Sequence, residues 1–415
     1  MPAPTPCYTL FSNATSDGTS SGTLPTETVT AALNIAHNPG KNVANLFGLV
    51  PAAAPFQPSL PTDTDLTIAL SFTGGGVISP TGIAVDGFGN VWTVNEANGG
   101  AGNSASKFAA GTGAALSPAG TGYTGGGINL PYSIAIDSLN NVWIGDSSSG
   151  GLVADAHLTK LAEDGTPISA TGYNLGFVGS VTSIGIDNYG NAIVAPRVTA
   201  SKVDGVTGAV TQLATNNNRI SWGLAIAPSG AIWLGVSNSF PGIDQLDITG
   251  AIVFPSGTNP YNGGYTGLQN PIGVAIDHGG NVWVANGGTV NGNPEYGIAK
   301  FSSSGALIFP ATSGYIPTAM GIDGLGHVFI AQQNNLMELD NDGSAIEGNI
   351  GRTGSFSGYY DSSLNDPIGL AVDSSGNVWM ANYFGDSITE FVGLGSPVVT
   401  PIAAGVANNT LGTRP

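Results

Sequence analysis

The side chains best suited to chemistry fall at one recurring point of the sequence, the end of a motif of the form NVWxxN. Glu96 follows the copy that ends at Asn95, and Asp146 ends the next copy. Two neighbouring carboxylates can share a proton, or they can bind a divalent cation such as Ca²⁺ or Mg²⁺ through their oxygens. Glu96 and Asp146 are therefore the candidate metal ligands. Together with His157 and Arg197 they are also the candidate catalytic residues.

Arg197 also follows a copy of this motif, and it stands out because the chain has only nine Lys and Arg residues. A guanidinium close to carboxylates most simply forms an ion pair. We therefore interpret Arg197 first as a partner of Glu96 or Asp146, and second as a catalytic group.

The other residues at the two ends of the motif are amides and aromatics. The candidate ligand-binding residues are Tyr132 and Trp222 where copies begin, and Asn95, Asn286, Gln333, Asn382 and Tyr383 where copies end. Aromatic faces beside amides suit a neutral or polar ligand such as a sugar. The asparagines could instead satisfy the backbone of loops in a solvated rim. Both interpretations remain open at this point.

The motif is part of a longer repeat that must position these residues. Residues 367–382 read PIGLAVDSSGNVWMAN, and six related copies begin at residues 80, 131, 181, 221, 271 and 317. Each copy supplies two short strands joined by a tight turn, and two further strands follow it. Four short strands in every 40–51 residues are typical of a β-propeller blade. We predict an all-β protein with a seven-bladed β-propeller of four-stranded blades.

The residues that repeat have structural explanations. An Asp at the start of the turn can accept a hydrogen bond from the backbone two residues on. We expect the repeated Trp to pack between blades and the repeated Lys to be structural as well. The information on function therefore lies in the residues that do not repeat.

Three segments are expected along the chain. Residues 1–65 would form an N-terminal segment, irregular at 1–23, with a short helical cap (helices at 26–36 and about 41–49) and a proline-rich linker. Residues 66–395 would form the propeller, and residues 396–415 a C-terminal strap. A strand at 66–73 would complete the last blade beside 387–393 and close the ring. The alternative is that the C-terminal tail supplies this outer strand.

Composition limits the partners. Nine Lys and Arg face 27 Asp and Glu, a net charge of −18, which argues against nucleic acid because phosphate binding needs a basic face. No apolar run is long enough for a membrane span. The Gly, Ser and Thr content is typical of a secreted or cell-surface protein. Cys7 is the only cysteine, and we expect an upstream domain of a longer exported chain to hold its partner, unless it is a free thiol.

The unit PxGIAVDxxGNVWVAN resembles NHL-repeat propellers, including secreted bacterial ones, and more loosely the virginiamycin B lyase-like propellers. The likeness covers residues 66–395. The lyase likeness implies a divalent metal and a histidine above the central channel. Of the four histidines, only His157 could approach that face, because His278 and His327 lie in turns on the other face and His37 lies in the cap.

Two hypotheses follow. The first is a secreted binding module that takes a polar small molecule, a glycan or a protein over the channel, helped by long loops at 97–103, 147–156 and 287–296. The second is a metal-assisted lyase or hydrolase, virginiamycin B lyase-like or lactonase-like, that works on the same face.

Overall fold

The computed structural model describes most of the chain. The described residues are 5–49, 66–96, 102–146, 155–196, 200–213, 220–237, 241–254, 268–290, 293–310, 316–346 and 358–415. The proline-rich linker at 51–65 lies outside them.

Short antiparallel strands dominate the described residues, as the alternating apolar pattern of the repeats predicts. In chain order they are β1 (Ala69–Phe72), β2 (Pro80–Val85), β3 (Val91–Asn95), β4 (Ser104–Phe108), β5 (Pro131–Ile136), β6 (Val142–Asp146), β7 (Asp155–Leu161), β8 (Tyr173–Val178), β9 (Val181–Ile186), β10 (Ala192–Pro196), β11 (Ser201–Val203), β12 (Val210–Gln212), β13 (Ile220–Ile226), β14 (Ile232–Ser237), β15 (Gly242–Leu246), β16 (Ile252–Phe254), β17 (Pro271–Ile276), β18 (Val282–Val290), β19 (Asn293–Phe301), β20 (Leu307–Phe309), β21 (Ala319–Ile322), β22 (Val328–Gln332), β23 (Asn335–Leu339), β24 (Pro367–Val372), β25 (Val378–Asn382) and β26 (Ser387–Phe391).

Seven sheets arranged in a ring form the predicted seven-bladed β-propeller. The first strand of each repeat lies innermost and contacts its equivalents in the two neighbouring blades, in the closed order β2, β5, β9, β13, β17, β21, β24 and back to β2. Blades 2, 3, 4 and 5 each have four consecutive strands. In blades 1 and 6, isolated bridges such as Ala105 to Tyr123 and Leu336 to Tyr359 extend the three strands.

The N-terminal strand closes the ring. β1 pairs antiparallel with β26, with Ala69 opposite Phe391 and Phe72 opposite Ile388. Phe72 also lies against Trp379, with ring centroids 5.7 Å apart. Blade 7 therefore combines both ends of the propeller, which is the first of the two predicted closures.

A cluster of aspartate, tryptophan and lysine fixes the hairpins of blades 1, 2 and 5, and blade 2 shows it clearly. The Asp137 carboxylate accepts hydrogen bonds from the backbone N–H of Leu139 at 3.0 Å and of Asn141 at 2.9 Å. Its other oxygen accepts the indole N–H of Trp143 at 3.1 Å. Lys160 Nζ lies 3.6 Å from that oxygen and 4.4 Å from the centre of the Trp143 ring. The repeated Asp, Trp and Lys thus form one buried polar unit, which the packing interpretation of Trp alone did not predict.

The same lysine–aspartate pair recurs in blades 1, 3 and 5, with Nζ–Oδ2 distances of 3.8, 3.0 and 3.2 Å. Blades 6 and 7 depart from it. In blade 6 the lysine position holds Glu338, which is 3.0 Å from His327 Nδ1 and accepts the Tyr359 hydroxyl at 2.8 Å. In blade 7 it holds Glu390, whose pKa rises to about 7 because the carboxyl is buried and lies near Asp373.

Replacing Glu390 by glutamine is expected to flatten the pH dependence of stability. The pKa of Glu390 is above its ordinary value of 4.5 in the folded protein, so its stabilising contribution is present at low pH and is lost as pH rises through about 7. Glutamine keeps the shape without ionising, and we expect Glu390→Gln to gain about 1–2 kcal/mol at pH 8. Urea unfolding at pH 5 and pH 8 measures this, and an equal loss of stability with pH in both proteins would contradict it.

The N-terminal cap has three helices rather than two. α1 (Pro6–Asn13) lies in the segment expected to be irregular, and that expectation is wrong. Thr5 caps this helix by accepting the N–H of Tyr8, and Pro6 fits its first turn. α2 (Thr28–His37) and α3 (Val43–Phe47) match the predicted pair. None of the helices in the described part of the chain is long and apolar enough to cross a membrane.

The C-terminal tail closes one end of the central channel. It contributes no outer strand, and its helix α4 (Ile402–Asn408) buries Ala403 and Val406. With residues 398–401 and Leu411, these side chains line a cavity of about 220 Å³ together with the innermost strands. Gly412 lies against His278, so the tail covers the face that carries the aspartate turns.

Candidate functional site

The opposite mouth of the channel is an open cavity. Its volume is about 450 Å³, and its lining includes the second residue of all seven repeats: Thr81, Tyr132, Thr182, Trp222, Ile272, Thr318 and Ile368. Among the described residues that line it, none is charged. The repeat places these seven side chains at one register, so the cavity is a ring of aromatic, hydroxyl and aliphatic groups.

The hydroxyl groups of the three threonines in this ring donate hydrogen bonds to backbone carbonyls. Thr182 Oγ1 donates to the carbonyl of Ala195 at 3.0 Å, and Thr318 Oγ1 donates to that of Ala331 at 3.0 Å. Thr81 Oγ1 likewise lies 3.3 Å from the carbonyl of Pro131 in the next blade. A hydroxyl whose proton is used in this way still offers lone pairs. Thr81 and Thr182 are buried, so the partly exposed Thr318 is the ring hydroxyl that can accept a hydrogen bond from a ligand.

The two aromatic members are partly exposed. Trp222 is fixed by its indole N–H, which donates to Ser237 Oγ at 3.0 Å. Tyr132 belongs to the blade next to that of Glu96. Its phenol pKa is raised first by burial and then by the charges of Glu96 and Tyr383. Two of the three predicted aromatic residues thus line the mouth.

Glu96 is brought together with Tyr132 and Tyr383, from blades 1, 2 and 7. Burial raises the pKa of Glu96, and a hydrogen bond from the Tyr383 side chain opposes that rise. The Glu96 backbone N–H donates to the carbonyl of Ser79 at 3.2 Å, which fixes the carboxyl at the rim. This acid–phenol group can accept and donate hydrogen bonds beside the aromatic ring of Tyr132.

Asp146 is not part of that group. Its side chain is only 3% exposed, and one carboxyl oxygen accepts the backbone N–H of Asn129 at 3.2 Å. The other oxygen has no hydrogen-bond partner among the described residues. Burial raises the pKa of Asp146 to about 8, and Glu96 plays no part in that shift. Burial and the Asn129 N–H, rather than Glu96, thus set the environment of the Asp146 carboxyl.

The predicted asparagines hold loops. Asn95 accepts the backbone N–H of Ile78 at 3.2 Å and donates to Ser104 Oγ at 2.9 Å and Ser106 Oγ at 3.0 Å. Asn286 and Asn382 are equally buried. Side chains with no exposed surface cannot touch a ligand in this conformation, so the loop interpretation fits these three. Gln333 is exposed, whereas its neighbour Gln332 fills the buried position.

Asp146 occupies the position of these asparagines in blade 2. Gly145 pairs with Leu158, which places His157 on the strand beside Asp146. His157 is partly buried there. Within the described ranges, no three His, Cys, Asp or Glu side chains form a group that could hold a metal ion. Arg197, residues 97–101, 147–154 and 291–292 lie outside those ranges, so the predicted loops are described only in part.

The five other members of the ring were not among the candidate ligand-binding residues: Thr81, Thr182, Ile272, Thr318 and Ile368. Each is the second residue of a repeat, at the same register as Tyr132 and Trp222. That shared position was the available signal.

No protein-family model and no curated protein matches this chain. Solved structures do match its fold. A streptogramin B lyase structure superposes with a TM-score of 0.56 at 16% identity, over 78% of this chain and 97% of the lyase. The extracellular domain of a hybrid two-component system from B. thetaiotaomicron gives 0.52 at 16% identity, over 77% of this chain and 40% of that one.

A chain of the mitotic checkpoint complex gives a TM-score of 0.56 at 12% identity, over 82% of this chain and 99% of that chain. The neighbours thus include a lyase, an extracellular domain and a member of a protein assembly. At such low identity they establish the propeller fold but not the function, which has to be argued from the residues of the site.

Proposed function

We propose that this protein is an extracellular binding module that takes a neutral, polar ligand, with a glycan as the best candidate, over the channel mouth. The observation that carries the proposal is the uncharged cavity of about 450 Å³, ringed by Tyr132 and Trp222. Sugars pack their C–H faces on aromatic rings and use hydroxyls to meet fixed acceptors, and this ring offers both.

The rim supports the same ligand class. Glu96 and Tyr383 lie beside Tyr132 and add a hydrogen-bonding group at one side of the mouth. The described residues that line the mouth carry no charge, which again suits a neutral ligand. An extracellular setting agrees with the Gly, Ser and Thr content and with the extracellular propeller among the structural neighbours.

The metal-assisted lyase or hydrolase is the weaker candidate. It needs a convergent set of ligands for Ca²⁺ or Mg²⁺, and Asp146, one of the two predicted ligands, is buried with one carboxyl oxygen bonded to the backbone N–H of Asn129. His157, the one histidine expected near this face, lies on a third strand away from the channel lining. We therefore place the ligand-binding role ahead of catalysis.

A glycan array probed with the labelled protein, followed by titration of the best hit, tests the proposal. Trp222→Ala and Tyr132→Ala are each expected to weaken binding about tenfold or more, because each removes an aromatic face. Tyr189→Ala is the matched control, since Tyr189 is an exposed tyrosine in an aspartate turn on the opposite face. Binding that is unaffected by both mouth variants would overturn the proposed site.

A further inference from the structure

Blade 4 lacks the turn aspartate that all six other blades carry, and a cavity lies in its place. It carries Ala227 where each of the other six blades carries aspartate, and Gln245 where four of them carry lysine. The cavity measures about 320 Å³ and is lined by Ala227, Ser229, Ala231, Trp233 and Gln245, among others. It lies on the face opposite the channel mouth, so it is separate from the proposed glycan site.

The turn in blade 4 keeps the backbone geometry of the aspartate turns. The N–H of Ala227 donates to the carbonyl of Ala231 at 2.8 Å, and the equivalent bond from Asp86 to Asn90 in blade 1 is 2.9 Å. The N–H groups of Ser229 and Ala231 therefore stand where other blades present donors to a carboxylate.

These donors can hold a carboxylate without a lysine, as blade 7 demonstrates. Asp373 accepts the N–H of Ser375 at 2.8 Å, the N–H of Asn377 at 2.9 Å and the indole N–H of Trp379 at 2.8 Å. The lysine position of that blade holds Glu390. The side-chain N–H of Asn377 also donates to the Asp373 carboxylate, at 2.9 Å. Two backbone N–H groups, an indole and one side-chain amide thus hold a carboxylate without a lysine.

In blade 4 the equivalent backbone N–H, that of Ala231, makes only a long hydrogen bond. The N–H of Ala231 lies 3.4 Å from Ser229 Oγ, longer than a good N–H···O hydrogen bond. Gln245 is largely buried and its amide can donate into the cavity. The nearby Asp277 is already paired with Lys300 at 3.2 Å, so its charge is compensated.

We propose that this cavity binds the carboxylate of a small organic acid, which takes the position of the absent aspartate side chain. The cavity is larger than a carboxylate alone, so the acid also carries an organic group. That group would extend toward His278, Ser303 and Asn409 at the outer part of the lining.

Sodium acetate is the probe for this site, and acetamide is its neutral counterpart at matched ionic strength. Protein labelled with fluorotryptophan gives one ¹⁹F signal for each of its six tryptophans, and Trp233→Phe identifies the signal of Trp233. We expect acetate to shift that signal saturably and acetamide to act at least tenfold more weakly. No saturable shift up to about 100 mM acetate, or an equal response to acetamide, would overturn the proposal.

Two variants make the test specific. Ala227→Asp restores the side chain of the other six blades and is expected to abolish the acetate response. Gln245→Lys adds the cation and is expected to tighten acetate binding about fivefold. In blade 5 the equivalent lysine, Lys300, donates to the carbonyl of Asn341 in the next blade at 2.8 Å. The residue that corresponds to Asn341 for blade 4 is Ser303, so the introduced lysine would lie beside Ser303. An acetate response that persists in Ala227→Asp, or an affinity unchanged in Gln245→Lys, would contradict the assignment. If Ala227→Asp fails to fold, Gln245→Lys alone decides.

Discussion

Replacing Asp137 by alanine is expected to lower the free energy of unfolding by about 3–5 kcal/mol, because it leaves a buried ammonium without its counter-charge. The Lys160 side chain is only 6% exposed and lies 3.6 Å from the Asp137 carboxylate. The same change also removes the acceptor of the Trp143 indole N–H and of two backbone N–H groups. Urea unfolding of Asp137→Ala measures the loss.

The chain itself supplies the control. Blade 4 holds Ala227 and Gln245 at these two positions and still folds with four strands. The double variant Asp137→Ala with Lys160→Gln copies that pair, so we expect it to recover about half of the lost stability. A double variant that is no more stable than Asp137→Ala would mean that the cost comes from the turn and the indole and owes little to the buried lysine.

Replacing Asp146 by asparagine is expected to stabilise the protein by about 2–4 kcal/mol at pH 8. The folded state raises the pKa of Asp146 from 3.8 to about 8, so it retains a proton that the unfolded chain releases. Stability from this group is therefore complete at low pH and falls as pH rises from about 4 to about 8, by up to ~1.4 kcal/mol per pH unit.

Asparagine should fit this position because Asn95 and Asn382 occupy it in other blades. Their side-chain N–H groups donate to hydroxyls of the next strand, at distances from 2.8 to 3.1 Å. Unfolding curves at pH 5 and pH 8 compare the two proteins. A loss of stability at pH 8 in Asp146→Asn would mean that contacts other than the Asn129 N–H stabilise the carboxylate.

The architecture could be predicted because the repeat encodes it seven times. The turn aspartates, the number of blades and the closing strand β1 all follow from patterns that recur or that match a recurring edge. α1 was missed because it is a short helix in a Ser- and Thr-rich stretch, although Leu10, Phe11 and Ala14 give it an apolar face. The Thr5 cap and packing on α3 stabilise it.

The site was predicted only in part. Tyr132 and Trp222 were found because aromatic residues at an otherwise variable register are conspicuous. The burial of Asn95, Asn286 and Asn382 could not be read from one sequence, since a rim amide and a loop-holding amide look alike until the loop above is known. The same holds for Asp146, which differs from an asparagine in sequence but shares its buried position.

Blade 4 illustrates a further limit. The sequence shows that its repeat departs from the motif and has Ala227 in place of the turn aspartate. The sequence does not show that this loss creates a cavity. In the folded protein, the space of the missing aspartate side chain is part of a cavity, which is the candidate binding site.

The central claim, that a glycan binds at the channel mouth, is tested most directly by a crystal structure of the protein with the best array hit. We predict sugar density over the ring of second-position residues, with one sugar face on Trp222 or Tyr132 and a hydroxyl near Thr318. Density at the outer edges of the blades or on the aspartate-turn face, with an empty mouth, would contradict the account.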